Sequence, residues 1–357
     1  MRRSPKDYAR DGRIAPVDPR TLRRTVLGFA LAAVVFAVLL AVVDVGEVLA
    51  ALARADLRFV ALVALALVCW NLAWGVALWQ VLAVQTDAIP FGRALLFHAA
   101  AALANHVTPL GQAGGEPVTA WIITRSSDTD YEVSLASVAS FDAIHLAPSL
   151  SIGAVGALAL LATGSDPGDD LLLLFAVVIA AAVVVPLLAA VAWRYRAAIA
   201  RRVGPPVSRL LRRVLGALPG RATPDLAAVE DRLGGFARAI ERVGTDRPRL
   251  VTAFAFSTVG WLLQATSLLF ALLAVGASVP VPVALVAVPI GATAGGLPTP
   301  GGLGGTEAVY VATLTLVTSV DVVTVTAAVA IHATGGYLLT IALGAGAVTL
   351  LGTRVYP

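Results

Sequence analysis

Long uncharged apolar runs alternate with short charged segments along most of the chain. Six runs are long enough for an α-helix to cross the hydrocarbon core of a bilayer, which takes about 20 residues. They cover residues 25–43, 59–82, 134–162, 171–193, 250–275 and 322–351. The pattern therefore predicts an all-α integral membrane protein with about six transmembrane helices.

Two further apolar stretches, 91–124 and 281–317, are interrupted near their middle by proline and glycine. Proline lacks a backbone donor and glycine permits a positive φ, so each stretch should break into two short helices. A broken helix is tolerated at membrane depth only where protein or a water-filled cavity covers it. We therefore expect two re-entrant hairpins. Counting each hairpin as one or two full spans is the alternative.

Both interruptions follow one nine-residue pattern, Thr-Pro-x-Gly-x-x-Gly-x-Glu, at 108–116 and again at 299–307. The predicted spans at 59 and 250 each begin 49 residues before the threonine of their own motif. Each half would then contain two spans, a hairpin and a third span. Three crossings per half predict a 3+3 inverted repeat, with the hairpins entering from opposite faces, and a matched pair of breaks is typical of a transporter binding site.

The predicted segments divide the chain into four parts. Residues 1–24 form a basic tail. Residues 25–193 form the first membrane repeat together with the span 171–193, which opens the second. Residues 194–249 form a long basic loop, and residues 250–357 complete the second repeat.

Positive charge is concentrated in two of these parts, since 1–24 and 194–249 hold 21 of the 26 basic residues. The positive-inside rule therefore predicts that both are cytoplasmic, with both termini inside a multi-pass protein of the cell membrane. A cleaved signal peptide at the N-terminus is the alternative. In the long loop, Val207, Leu210 and Leu211 recur at helical spacing opposite arginines, which predicts a basic amphipathic helix on the anionic leaflet. Thr223 and Pro224 should open a second helix.

Composition agrees with this interpretation, because 58% of the residues are apolar and 13% are charged, against about 25% charged in soluble domains. Cys69 is the only cysteine, so an intrachain disulfide is excluded. The basic residues flank the membrane and no nucleic-acid-binding motif is present, so we expect no nucleic-acid partner.

Ionisable side chains at membrane depth are functional candidates by default. Glu116 and Glu307 end the two motifs, where each could bind substrate, carry a proton or cap the second half-helix. Asp142 and His145 share a helix face, where they could pair, form a proton relay or bind the headgroup of the substrate. Asn105 and His106 should line the cavity, whereas His98 and His332 should be core histidines with satisfied hydrogen bonds. No metal-ligand spacing is present, so we expect no metal and no cofactor.

The motif residues themselves complete the predicted substrate site. Glycines let a backbone approach a ligand closely, and N–H groups at the start of a half-helix attract anions such as a phosphate headgroup. The predicted site residues of the motifs are Thr108, Gly111, Gly114, Gly115, Thr299, Gly302, Gly304 and Gly305.

The stretches 108–117 and 297–308 resemble the signature segments of the lysylphosphatidylglycerol synthase transmembrane-region family, flippase-like membrane proteins of the UPF0104 type. The resemblance covers most of the chain. It implies movement of lipids or lipid-linked headgroups between leaflets, with Glu116, Glu307 and their glycines as the site. Some members append an aminoacyltransferase domain. Because the chain ends at Pro357, shortly after its last predicted span, we expect no such domain here.

The sequence thus predicts a lipid flippase without enzymatic activity, whose partners are anionic phospholipids or lipid-linked sugars. A homo-oligomer is left open. The alternatives are a secondary transporter of a small soluble anion and a membrane-embedded transferase. A lateral opening to lipid would distinguish a flippase from a carrier of soluble solutes.

Overall fold

The computed structural model describes residues 45–108, 112–127, 129–163, 168–216, 225–296 and 299–352, and these parts are all-α. The helices are α1 Val45–Ala53, α2 Leu57–Gln85, α3 Phe91–Val107, α4 Gln112–Ser126, α5 Tyr131–Leu161, α6 Gly168–Arg194, α7 Arg196–Gly216, α8 Leu226–Thr245, α9 Arg247–Ala274, α10 Val281–Thr293, α11 Gly305–Val317, α12 Val322–Val329 and α13 Gly335–Gly352. A π-helical turn, Ala330–Thr334, joins α12 to α13.

Within the described part of the chain, five helical segments are long and apolar enough to cross a membrane: α2, α5, α6, α9 and the continuous segment Val322–Gly352. Each coincides with a predicted span to within a few residues, because long apolar runs are a strong local signal. The predicted basic tail and the first span, with the signal-peptide alternative, lie outside the described residues.

The predicted breaks in the two hairpins are present. Helix α3 ends at Val107 and α4 begins at Gln112. In the second hairpin two 3₁₀ turns, Ala294–Gly296 and Pro300–Gly302, lie between α10 and α11. Gly301, Gly302 and Gly304 have φ angles of 61°, 71° and 82°. Side chains with a Cβ rarely adopt this conformation, so the break requires glycine at these positions.

The two hairpins pack reciprocally between the halves of the chain. Helix α3 of the first hairpin packs against α13, and α10 of the second hairpin packs against α5. Glycines allow both approaches: a Cβ built on Gly344 would lie 2.7 Å from the carbonyl oxygen of Ala99, and one on Gly156 would lie 2.8 Å from that of Pro282. Small residues at such crossings are the usual means of close helix packing in membranes.

Equivalent positions in the two halves recur with a constant offset. The motif threonines, Thr108 and Thr299, are 191 residues apart, and so are the first residues of the matching 31-residue helices, Tyr131 and Val322. The same offset relates Trp70 to Trp261, which lie on α2 and α9. From α2 and α9 onward, the two halves therefore share element order and spacing. Their inversion relative to the membrane stays a prediction.

Helices α2 and α9 form the central pair of the bundle. The indole nitrogen of Trp74 donates to the backbone oxygen of Ser257 at 3.2 Å, and a Cβ on Gly260 would overlap the Trp74 ring. Leu268 and Leu272 of α9 are almost fully buried in the surrounding cluster. Between helices inside a bilayer, such contacts stabilise through close packing, because lipid tails are as apolar as the protein core.

The predicted amphipathic helices of the long loop are α7 and α8. Helix α8 begins at Leu226 with Asp225 at its N-cap, while Thr223 and Pro224 lie outside the described residues. Arg196 binds Glu241 at 2.7 Å and joins the two helices. Because both side chains are substantially exposed, this pair is worth at most about 1 kcal/mol.

Candidate functional site

A cavity of about 470 Å³ lies at the level where the hairpins meet, among α2, α3, α4, α5, α9 and α10. One wall is aromatic and another carries ionisable and amide side chains. The polar lining residues are His98, Asn105, His106, Glu116, Thr119, Asp142, His145, Ser149, Gln264 and Thr293. Among the described residues that line it, no lysine or arginine is present. The cavity therefore places acidic groups without a permanently charged counter-ion.

Glu116 and Asp142 meet in this cavity. Glu116 lies on α4, and Asp142 lies on the neighbouring helix α5, so the hairpin and the long span each supply one carboxyl group. The two carboxyl groups are hydrogen-bonded to each other. Two carboxyl groups in this relation share a proton, because two bare carboxylates would repel at such short range.

The predicted alternative that Asp142 pairs with His145 is wrong. The Nδ1 atom of His145 contacts the backbone oxygen of Phe141 at 2.8 Å, and its Nε2 atom has no hydrogen-bond partner. Residues three positions apart lie on the same face of a helix, but the imidazole of His145 contacts the backbone of its own helix instead of Asp142. His145, which carries this unpartnered Nε2 atom, lines the cavity.

The prediction of a satisfied core histidine holds for His332 but not for His98. In His332, Nδ1 lies 2.9 Å from the Ser267 hydroxyl and Nε2 lies 3.4 Å from the Tyr310 hydroxyl. In His98 both ring nitrogens are buried without a partner, although the side chain is only 4% exposed. His98 lines the large cavity and therefore belongs to the site, which its position in an apolar run did not predict.

Tryptophans form the aromatic wall, to which the sequence analysis assigned no site role. The Trp74 ring contacts those of Trp70 and Trp261 edge to face, with centroids 5.1 Å and 5.3 Å apart. Trp261 donates its indole N–H to the backbone oxygen of His145 at 3.0 Å. The signal available in the sequence was the equivalence of Trp70 and Trp261 between the halves.

Glu307 lies in a second, smaller cavity of about 130 Å³, together with Tyr310, His332 and Tyr337. Its carboxylate accepts the backbone N–H of Gly304 at 2.7 Å and is 3.4 Å from the Thr334 hydroxyl. Gly304 precedes α11, so Glu307 supplies the glutamate half of a capping box. Because Gly304 has no side chain, it cannot accept the reciprocal hydrogen bond from the backbone N–H of Glu307. Glu307 thus has a structural role as the cap of α11.

His106 and Gly301 mark the point where the two motif regions touch. A Cβ on Gly301 would lie 3.0 Å from both the Cα atom of His106 and the ring of Tyr337. Tyr337 donates its hydroxyl to the backbone oxygen of His106 at 3.3 Å, and the two rings lie 4.5 Å apart. His106 and Gly301 line both cavities, so they belong to the layer between them.

In the first motif, the hydroxyl of Thr108 donates to the backbone oxygen of Ala104 at 2.7 Å. Gly115 faces Asn105, whose side-chain oxygen is buried without a partner. Gly114 is half-buried on α4, and Gly111 lies outside the described residues.

In the second motif, Thr299 is buried and its hydroxyl is unpartnered. The N–H of Gly302 donates to the oxygen of Thr299 at 3.1 Å, and that of Gly304 is taken by Glu307. Gly305 is the first residue of α11. A role of these glycines in binding phosphate stays a prediction.

Comparison with known proteins indicates the family of this chain. A matched segment of 159 residues, 43% of this chain, is 29% identical to a UPF0104 membrane protein of Methanothermobacter thermautotrophicus. The match spans 41% of that relative, so less than half of its length is shared. The sequence profile of the lysylphosphatidylglycerol synthase TM region matches residues 25–344. The chain therefore belongs to the lysylphosphatidylglycerol synthase transmembrane-region family.

Proposed function

We propose that this protein moves a lipid headgroup between membrane leaflets through the large cavity, while the lipid tail stays in the bilayer. The observation that carries the proposal is the position of Leu146. It lines the cavity, is 48% exposed, and is the sixteenth of the 31 residues of the membrane-spanning helix α5. An exposed cavity-lining residue halfway along a span supports an opening toward lipid rather than toward water.

Two other exposed residues that line the cavity also support a lateral opening. Ala292 and Thr293, at the end of α10, also line the cavity and are exposed. They lie at the tip of a hairpin, where the chain would be at membrane depth. A polar interior behind an apolar rim suits an amphiphile, because the headgroup can leave water while the tail remains among lipids.

The internal repeat supplies a means of alternating access. The 191-residue offset between matching helices and the reciprocal packing of each hairpin on the other half support two similar units that could rock against each other. The membrane topology with both termini in the cytoplasm belongs to this proposal. So does the absence of an enzymatic activity.

A carrier of small soluble anions is the second candidate, and the cavity chemistry disfavours it. Glu116 and Asp142 place acidic groups in the lining, and no described lining residue is lysine or arginine. A free anion would meet unfavourable charge there, whereas a headgroup that carries a cationic or hydroxyl group suits this lining. A lateral opening toward lipid also favours a lipid substrate over a soluble one.

Transbilayer movement of fluorescent lipids in reconstituted vesicles tests the proposal, with chemical reduction of the outer-leaflet label as readout. Leu146→Trp should slow the movement several-fold, because the larger ring fills the opening. Leu158→Trp is the matched control, since Leu158 lies on the same helix, is 53% exposed and does not line the cavity.

Wild-type protein that moves neither phospholipids nor a lipid-linked sugar would refute the proposal. Equal rates for the two tryptophan variants would refute the opening at Leu146.

A further inference from the structure

The two motif glutamates have different surroundings, although their positions in the repeat match. Glu307 is held by the N–H of Gly304 and lies beside the hydroxyl of Thr334. Glu116 is hydrogen-bonded to a second acid, Asp142. At the position equivalent to Asp142 in the other half stands Ala333, which cannot form such a pair. The acid pair is therefore a property of the first half alone.

Two histidines of the same cavity carry unused hydrogen-bonding atoms. His98 is 4% exposed with both ring nitrogens unpartnered, and His145 is 7% exposed with Nε2 unpartnered. Burying a polar atom without a partner is unfavourable. Both residues line the cavity that contains Glu116 and Asp142. These atoms are placed to exchange hydrogen bonds with a mobile polar species in the cavity, such as water that carries a proton.

The other charged and titratable groups around the pair can be named. Helix α3 supplies His98 and His106, and α5 supplies His145. The cavity-lining residues of α2, α9 and α10 contain no titratable side chain. No described group of three or more His, Cys, Asp or Glu residues could hold a metal ion. The species that best fits two adjoining acids without a fixed cation is a proton.

On the basis of the proposed function, we propose that Glu116 and Asp142 form a proton-binding pair through which proton movement drives lipid movement. Loading breaks one O–H bond of a hydronium ion and forms one on a carboxylate oxygen, which leaves neutral water. Unloading breaks that bond and returns the proton to water on the other side. Each proton changes the charge of the cavity by one, which alters its affinity for a charged headgroup. Glu307 acts as a helix cap.

Infrared difference spectroscopy tests the proton site without any lipid substrate. Wild-type protein near neutral pH should show the C=O stretch of a protonated carboxyl group. Glu116→Gln and Asp142→Asn should each remove that band. Two independent variants are used so that the test still stands if one of them misfolds. Glu132→Gln is the matched control, because Glu132 lies on α5 but does not line the cavity. A band unchanged in both variants would overturn the proposal, as would sodium-dependent carboxylate bands in place of the acid band.

Reconstituted vesicles with an imposed pH gradient test the coupling. The gradient should accelerate lipid movement several-fold in wild type and in Glu132→Gln, but not in Glu116→Gln or Asp142→Asn. An acid band with lipid movement that ignores the gradient would overturn the coupling role. An acid band without lipid movement under any condition would refute the proposed function and leave the proton-binding pair in place.

Discussion

The indole N–H of Trp261 donates to the backbone carbonyl of His145 across 3.0 Å, joining the middle of α9 to the middle of α5. The accepting carbonyl belongs to His145, which lines the same cavity as the acid pair. A tryptophan side chain thereby fixes the helix that presents both Asp142 and His145. Both ends of this bond are buried.

We expect Trp261→Phe to lower the free energy of unfolding by at least about 1 kcal/mol, since a buried carbonyl loses its added hydrogen bond and the smaller phenyl ring loses part of the packing of the indole. Thermal unfolding in detergent measures the change. Trp121→Phe is the control, because Trp121 is 55% exposed and should tolerate the change. Equal melting temperatures for wild type and Trp261→Phe would contradict the prediction.

Glu307 should behave as a cap. Glu307→Ala removes the acceptor for the Gly304 N–H and should cost roughly 0.5–2 kcal/mol, as for other N-terminal caps. Glu307→Gln keeps an acceptor oxygen at the same distance and should cost less. Thermal unfolding distinguishes the two variants. If both retained wild-type stability but lost lipid movement, Glu307 would be a substrate ligand instead.

Gly301→Ala should destabilise the contact between the hairpins. The left-handed backbone conformation costs a residue with a Cβ about 1–2 kcal/mol. The added methyl group would also lie 3.0 Å from the Cα atom of His106. The control is Gly295→Ala at the same tip, where a Cβ meets no atom within 4 Å. Similar melting temperatures for the two variants would show that this conformation is not required.

Gly115→Ala should separate α3 from α4 in the first hairpin. A Cβ at this position would overlap the side chain of Asn105 and lie 2.7 Å from its backbone nitrogen. Overpacking of this kind costs typically about 1–3 kcal/mol. Gly92→Ala, in open space on the same hairpin, should have no such effect on thermal unfolding. Unchanged stability of Gly115→Ala would mean that the hairpin can open at this crossing.

The helices and the breaks could be predicted from the sequence because their causes are local. A long apolar run sets the length of a span, and Thr-Pro-Gly patterns interrupt a helix wherever they occur. The second motif shows this directly, since Gly301, Gly302 and Gly304 adopt the positive φ angles that the pattern implies.

The partners of the ionisable side chains could not be predicted in the same way. Glu116 and Asp142 are 26 residues apart, and only the register between α4 and α5 brings them together. Spacing favoured Asp142 with His145, but His145 bonds to Phe141. The motif alone also does not distinguish the role of Glu116 from that of Glu307, because each glutamate ends its own copy. Asp142 and Thr334, which contact Glu116 and Glu307, lie outside the motif, whereas Gly304, whose N–H Glu307 accepts, lies inside it.

Trp70, His106, Gln264 and Gly301 line both cavities, so one layer of residues separates them. None of the four is an acid, a lysine or an arginine. Were both cavities to fill with water from opposite sides, nearly all of a transmembrane voltage would fall across this single layer. A charge that crosses it would then experience almost the whole field, which amounts to about 2.3 kcal/mol per 100 mV. In electrical terms the insulating thickness of the protein would be that of one side chain.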